Sequence, residues 1–287
     1  MSEAGVQVHE LGPQDLPAAP AVRRRVVAEL LVLWLATLFA IRAVVSVQAL
    51  GLPDVVLALV PFLFIYAPVW LCSWRGVDSY AYKIAIPAFG DFAAWGRAAR
   101  LCAVVIALIL IPWLVGYHLY QNAARALIDS VGPIDSFAKG KGVFLGVMGG
   151  DIDVLGPDPW FTLTQTVVPS WKVPKEAWLL VPYHLFFVAI PEEFFYRGYV
   201  QTRLNEVFPR RWRVFGTHVG PGLIIGCLIF AFGHSLVTIQ WWHFATFFPG
   251  LVFGWMRERT GGPVAGALFH AWSNVTVTWL NALYGVG

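Results

Sequence analysis

Long apolar runs alternate with short polar and basic segments along most of the chain. The runs begin near Val26, Val55, Leu101, Trp178, Pro221, Trp242 and Val264. Most of them approach the ~20 apolar residues that a helix needs to cross a bilayer. The pattern predicts an all-α fold, a polytopic bundle of about seven transmembrane helices, with an eighth left open.

The polar segments divide the chain into four parts. We predict a flexible cytoplasmic tail over residues 1–25 and N-terminal transmembrane helices over residues 26–121. A long extramembrane connection over residues 122–175 and a transmembrane core over residues 176–287 follow. The connection is rich in Gly, Pro and Asp, and loops of this length are uncommon unless they are functional. It fits either a plain loop or a lid that docks a substrate.

Basic residues indicate how the bundle is oriented. Arg23, Arg24 and Arg25 precede the first span, and further arginines cluster in residues 75–100, 203–213 and 257–259. Seven spans would place all four clusters on one side of the membrane, which the positive-inside rule assigns to the cytoplasm. We therefore predict an integral, multi-pass protein of a bacterial inner membrane with a cytoplasmic N-terminus.

Composition narrows the class of protein. The chain is 58% hydrophobic and 13% charged, whereas soluble domains carry about 25% charged residues. The net charge of +3 is small and predicts no nucleic-acid partner. Cys72, Cys102 and Cys227 lie in or beside apolar runs without a CxxC pair, which indicates buried hydrophobic positions rather than disulfides or metal ligands.

Ionisable residues interrupt the fourth apolar run, where charge is costly and usually functional. Glu193 and Arg197 are four residues apart and can pair on one helix face. Glu192 lies about 100° round the helix from Glu193 and is left free to act as a general base. Pro191 removes a backbone donor and predicts a kink or a restart of the helix.

Two later spans carry polar pairs at the same spacing. Phe230 and His234 are four residues apart, as are His270 and Asn274. At ~1.5 Å rise per residue, His234, His270, Asn274 and Glu192 fall within a slab about 10 Å thick. Glu192 and His234 could then deprotonate a water, while His270 and Asn274 donate hydrogen bonds to the oxyanion of an attacked amide.

Not every buried polar residue needs a catalytic role. Intramembrane histidines commonly hydrogen-bond between helices, and His184, His218 and His243 are assigned that role.

Two interpretations other than a protease stay open for the protein as a whole. A Glu–Arg clamp also suits a non-catalytic membrane scaffold or partner protein. A transporter with a proton-relay glutamate is the third interpretation, but the chain has no internal repeat that would indicate one.

The three motifs Glu192-Glu193-x-x-x-Arg197, Phe230-x-x-x-His234 and His270-x-x-x-Asn274 resemble those of the CPBP intramembrane proteases. This family includes type II CaaX prenyl endopeptidases and bacterial abortive-infection and bacteriocin-processing proteins. The resemblance covers about residues 176–283. It implies a membrane-embedded catalytic cavity with Glu192 as general base, His234 positioning the water, and His270 with Asn274 at the oxyanion. Glu193, Arg197 and Phe230 would support them.

The resemblance also implies a substrate class. The substrate would be a membrane-anchored or lipidated protein cut near its C-terminus, either a prenylated CaaX protein or a bacterial C-terminal sorting signal. Since the chain lacks a His-Glu-x-x-His motif, no cofactor is expected. If zinc were used instead, Glu192, His234 and His270 would be its ligands. The sequence indicates no particular oligomeric state.

Overall fold

The computed structural model describes residues 18–79, 87, 90–130, 169–174, 176–210, 212–238 and 241–285. These residues form seven helices and one short β-hairpin. The helices are α1 (Pro20–Ala49), α2 (Leu59–Trp74), α3 (Phe92–Ser130), α4 (Ala177–Val207), α5 (Pro221–Thr238), α6 (Phe247–Thr260) and α7 (Val264–Tyr284). Short 3₁₀ turns precede α2 (Asp54–Ala58) and α6 (Trp241–Thr246).

Four helical stretches in the described part of the chain are long and apolar enough to cross a membrane. They are Pro20–Gln48, Val55–Trp74, Phe92–Asn122 and Ala177–Val207, and Pro221–Val237 is a shorter apolar helix. Helix α7 is long enough to span, but His270, Ser273 and Asn274 interrupt its apolar character. The chain is therefore a helical membrane bundle, while the count of about seven spans stays a prediction.

A two-stranded hairpin departs from the predicted all-α fold. Strands β1 (Trp212–Val214) and β2 (Thr217–Val219) pair antiparallel. Phe215 and Gly216 both have positive φ, as a tight two-residue hairpin turn requires. Strands this short are below the length at which alternation of apolar and polar residues becomes recognisable, so the sequence pattern indicated only a basic loop.

The core lies where α4, α5, α6 and α7 pack together. Its largest fully buried side chains are mainly aromatic and aliphatic, and they include Phe195, Tyr199, Leu204, Phe253 and Phe269. By contrast, α1, α2 and α3 expose many large apolar side chains, among them Phe39, Trp70 and Leu108. Exposed apolar surface on this scale fits contact with lipid rather than with water.

Pro191 was predicted to kink or restart its helix, and the structure shows no restart, since α4 continues through it. Two π-helical turns, Tyr183–Ala189 and Phe194–Val200, flank the α-helical segment Ile190–Glu193. Proline lacks an N–H and crowds the preceding turn of an α-helix, and the wider π turn before it accommodates both defects. Glu192 and Glu193 therefore lie inside a continuous helix and not in its first turn. Single π turns are frequent at functional sites.

Much of the predicted tail and connection lies outside the described residues, which omit 1–17 and 131–168. Helix α3 runs to Ser130, beyond the predicted end of the third span.

The last described part of the connection packs on the end of α7. There, the Ser170 N–H donates a hydrogen bond of 2.8 Å to the Leu283 carbonyl, and the Trp171 and Trp279 ring centres are 6.4 Å apart.

Candidate active site

Arg197 and Glu193 form a buried ion pair on α4. Nη1 of Arg197 lies 3.2 Å from Oε1 of Glu193, and the two side chains are 2% and 0% exposed. Nη2 of Arg197 donates to the Gly250 carbonyl at 3.2 Å. The guanidinium also lies 4.2 Å from the ring centre of Phe230 and 5.1 Å from that of Phe253. Arg197 thereby ties α4 to α5 and α6.

The Glu193 carboxylate reaches a second partner on α7. Its Oε1 atom lies 3.2 Å from Nδ1 of His270, so a single oxygen faces both the guanidinium and the imidazole. Phe253 stacks against the other side of His270, with ring centres 4.8 Å apart and planes at 14°. Sequence reasoning missed Phe253, because no local pattern distinguishes it from the other phenylalanines among the 21 in the chain.

The Glu192 carboxylate points at two imidazoles. Its Oε2 atom lies 3.6 Å from Nε2 of His234 and 3.9 Å from Nε2 of His270. Both distances exceed a hydrogen bond, and this buried oxygen has no hydrogen-bond partner among the described residues. Polar atoms separated by such distances can be bridged by a water molecule.

Hydrogen bonds at the far side of each ring orient both imidazoles. His234 Nδ1 lies 3.0 Å from the Phe230 carbonyl oxygen, which can only accept a hydrogen bond. His270 Nδ1 faces the Glu193 carboxylate in the same way. These contacts place a proton on the Nδ1 atom of each ring. Each Nε2 is therefore turned toward Glu192, with its lone pair or one additional proton available for chemistry.

The formal charges of the cluster can balance. Glu192 and Glu193 are anionic when ionised, and Arg197 is the permanent cation. Protonation of one imidazole brings the cluster to zero net charge. A buried charge without compensation costs several kcal/mol, so the Arg197 guanidinium is needed to offset the carboxylate that it pairs with.

Asn274 is the one predicted site residue that the structure does not bring into contact with the others. Its side chain is half-buried one turn beyond His270, and no hydrogen bond joins it to any described residue. Its backbone carbonyl accepts a hydrogen bond of 2.9 Å from Thr278. The proposed oxyanion role of the Asn274 amide stays a prediction.

Two histidines that were assigned to helix packing border this cluster. The His243 ring hydrogen-bonds to the backbone of His234. His184 interacts electrostatically with His270, and its buried Nδ1 has no hydrogen-bond partner among the described residues. His218 lies in strand β2, exposed and apart from these contacts. Neither His184 nor His243 stands at a local spacing that indicates its neighbour, since each contact depends on how the helices pack.

No group of three or more His, Cys, Asp or Glu within the described ranges has an arrangement that could hold a metal ion. The three cysteines are free and buried, as predicted. The convergent atoms of Glu192, His234 and His270 are of the donor types that catalytic zinc sites use.

Residues 174–276 match the family model described as "Type II CAAX prenyl endopeptidase Rce1-like". This segment is similar to an Rce1-like domain. It spans about a third of the chain, from just before α4 into α7, and contains every residue of the three motifs. The resemblance to CPBP proteases that the motifs indicated is thus confirmed for this segment. No match to the chain was found among curated proteins or among solved structures.

Proposed function

We propose that the protein is an intramembrane endopeptidase that hydrolyses a peptide bond near the C-terminus of a membrane-associated substrate. The observation that carries the proposal is the approach of Glu192 Oε2 to two imidazole Nε2 atoms, at 3.6 and 3.9 Å. The Rce1-like domain supports it, because that family is described as an endopeptidase. Amide hydrolysis needs a general base and groups that orient the water and stabilise the oxyanion, and it is favoured in a buried site.

In the proposed reaction, Glu192 Oε2 and His234 Nε2 hold a water. Glu192 accepts one proton as the water oxygen forms a bond to the scissile carbonyl carbon. Nε2–H of protonated His270, joined by the Asn274 amide, donates to the resulting oxyanion. Glu192 then returns its proton to the amide nitrogen as the C–N bond breaks, which leaves a carboxylic acid and a free amine. The second proton of the water then passes from the acid to the amine, so that the products are a carboxylate and an ammonium group.

Glu193 and Arg197 do not contact the reacting water, and they act on the site through His270. Glu193 holds the His270 ring through Nδ1 at 3.2 Å, which keeps Nε2 aimed at the reacting centre. Arg197 offsets the Glu193 charge, so that Glu193 can orient His270 without adding an uncompensated anion to the cluster.

We propose that the reaction uses no metal. Chelation of the purified protein with 1,10-phenanthroline is expected to leave the cleavage rate unchanged. Loss of cleavage that returns on addition of zinc would contradict this and assign Glu192, His234 and His270 as ligands of a catalytic zinc ion, which would activate the water in place of the glutamate.

We propose a prenylated CaaX-type protein as substrate, because the description of the matching family names a prenyl group. The test uses the full chain in proteoliposomes with three peptides, and mass spectrometry identifies the products. The peptides are a farnesylated CaaX peptide, its unprenylated counterpart, and a peptide with an apolar C-terminal sorting signal.

Cleavage of the farnesylated peptide alone, absent in Glu192→Gln, is the expected result. Cleavage of the sorting-signal peptide alone would support the protease and overturn the prenyl assignment. If a correctly folded wild-type protein cuts none of the three, the endopeptidase proposal fails.

A further inference from the structure

A partly open cavity of about 480 Å³ lies outside the candidate active site. Its lining residues come from three helices that meet at one end of the bundle: Val22, Arg25, Val26, Trp74, Arg75 and Arg203. The lining thus combines three guanidinium groups with apolar surface and contains no carboxylate. Such a surface suits an amphipathic anion.

The cavity lies at the level where membrane-crossing helices end. The first candidate span begins at Pro20, the second ends at Trp74, and the fourth ends at Val207. Arg25 stands in the first turns of α1, and Arg75 directly follows α2. Trp74 is 75% exposed, as is common for tryptophan at the depth of lipid headgroups.

A network behind the cavity fixes two of the arginines. Arg203 donates to both oxygens of Glu29, at 3.0 and 2.9 Å, and also contacts Glu206. Arg75 lies 3.4 Å from Glu29, whose Oε1 also accepts a hydrogen bond of 2.8 Å from Tyr199. This network ties α1, α2 and α4 together and holds the two guanidinium groups in place before any ligand arrives.

The arginines around the cavity outnumber the carboxylates that contact them. The three lining arginines face two carboxylates, Glu29 and Glu206, and both of those contact Arg203. Arg25 is exposed and forms no ion pair within the described residues. Guanidinium groups bind phosphate through paired N–H donors, so Arg25 is the arginine most available to an arriving ligand.

We propose that this cavity binds the phosphate group of an anionic phospholipid. The phosphate contacts Arg25 and Arg75, and the acyl chains follow the exposed apolar side of α1. Val32, which is 68% exposed and stands two helical turns after Arg25, continues that side toward the membrane interior. A free phosphate ion would use the arginines but not this apolar surface, and that difference separates the two sources of the anion.

The test measures lipid binding to the full chain in nanodiscs of phosphatidylcholine, with and without phosphatidylglycerol. Native mass spectrometry counts retained lipid, and thermal unfolding reports stabilisation. The variant is Arg25→Gln, and Arg100→Gln is the matched control, because Arg100 is an exposed arginine of α3 outside the cavity. Inorganic phosphate is titrated in detergent as a separate arm.

Phosphatidylglycerol is expected to raise the unfolding temperature of the wild type and of Arg100→Gln. Its affinity for Arg25→Gln should fall by about tenfold, the effect of losing one charge-assisted contact. Equal affinity in both variants, or no preference for phosphatidylglycerol over phosphatidylcholine, would overturn the site. Full stabilisation by inorganic phosphate would assign it to a free anion and overturn the lipid. None of these readouts depends on proteolysis.

Discussion

The carboxylate of Glu192 on α4 and the imidazole of His234 on α5 face each other across 3.6 Å without a hydrogen bond. The surrounding structure holds each group in its position. His234 is held from behind by the Phe230 carbonyl at 3.0 Å, and Glu192 sits in a continuous helix between two π turns. A gap of this size between a carboxylate and a ring nitrogen is suited to a water molecule, the reactant that the proposed function needs.

Replacing Arg197 should lower the free energy of unfolding of the whole bundle. Arg197→Ala leaves the fully buried Glu193 carboxylate without its cation, and breaking a buried pair in this way costs about 3–5 kcal/mol. The unfolding free energy in detergent measures the loss. Arg24→Ala is the control, since Arg24 is exposed at the start of α1 and surface changes stay within about 0.5 kcal/mol. Similar losses in the two variants would show that Arg197 is not a clamp.

Gly266 marks a close approach between α7 and the Glu193 carboxylate. A Cβ atom at this position would lie 3.0 Å from Glu193 Oε2 and 3.3 Å from the Phe253 carbonyl oxygen. Neither neighbour can move freely, because Glu193 is held by Arg197 and His270. Gly266→Ala should therefore cost about 1–3 kcal/mol of stability and reduce cleavage.

The control for this change is Gly116→Ala. A Cβ atom at Gly116 in α3 would meet nothing within 4 Å, so alanine there is expected to be neutral or to stabilise the helix by up to about 1 kcal/mol. Thermal unfolding and the cleavage rate are compared in both variants. If Gly266→Ala behaves like Gly116→Ala, the close contact with Glu193 does not constrain the site.

Glu258, at the C-terminal end of α6, links stability to pH. Its carboxylate accepts hydrogen bonds from Gln201 at 2.7 Å, Asn205 at 2.6 Å, Arg257 at 2.8 Å and Arg210 at 3.0 Å. Burial alone would raise the pKa of Glu258, but the charge of Arg257 and these hydrogen bonds outweigh it and bring the pKa below its ordinary value of 4.5. The ionised form is thus bound more tightly in the folded state.

A lowered pKa stabilises the fold above the ordinary pKa, and that stability is lost as the pH falls through the folded-state value. Glu258→Gln should therefore unfold at a lower temperature than wild type at neutral pH, with the difference shrinking below about pH 4.5. Thermal unfolding between neutral pH and about pH 3 measures this. A difference that stays constant across the range would contradict the assignment.

Contacts within one helix were predictable from sequence, because they depend only on helical spacing. The pairs Glu193–Arg197 and Phe230–His234 both stand four residues apart and touch in the structure. The apolar runs likewise indicated the helices, since burial in lipid requires uninterrupted apolar length. These inferences need no knowledge of which helices are neighbours.

Contacts between helices were not predictable in the same way. The bond from His270 to Glu193 joins residues 77 positions apart, and Phe253 enters the site only because α6 packs beside α7. Arg203 was assigned to a loop, yet it lies buried in α4, where Glu29 on α1 compensates its charge. Hydropathy alone misplaces such an arginine, because its partner is distant in the sequence.

The most direct test of the account compares Glu192→Gln with wild type in single-turnover cleavage of the farnesylated CaaX peptide in proteoliposomes. Glutamine keeps the shape of the side chain but cannot accept the proton of the water. The account predicts an unfolding temperature close to that of wild type and a rate lower by at least about 100-fold, the usual contribution of a general base. A folded Glu192→Gln variant that cleaves at the wild-type rate would contradict it.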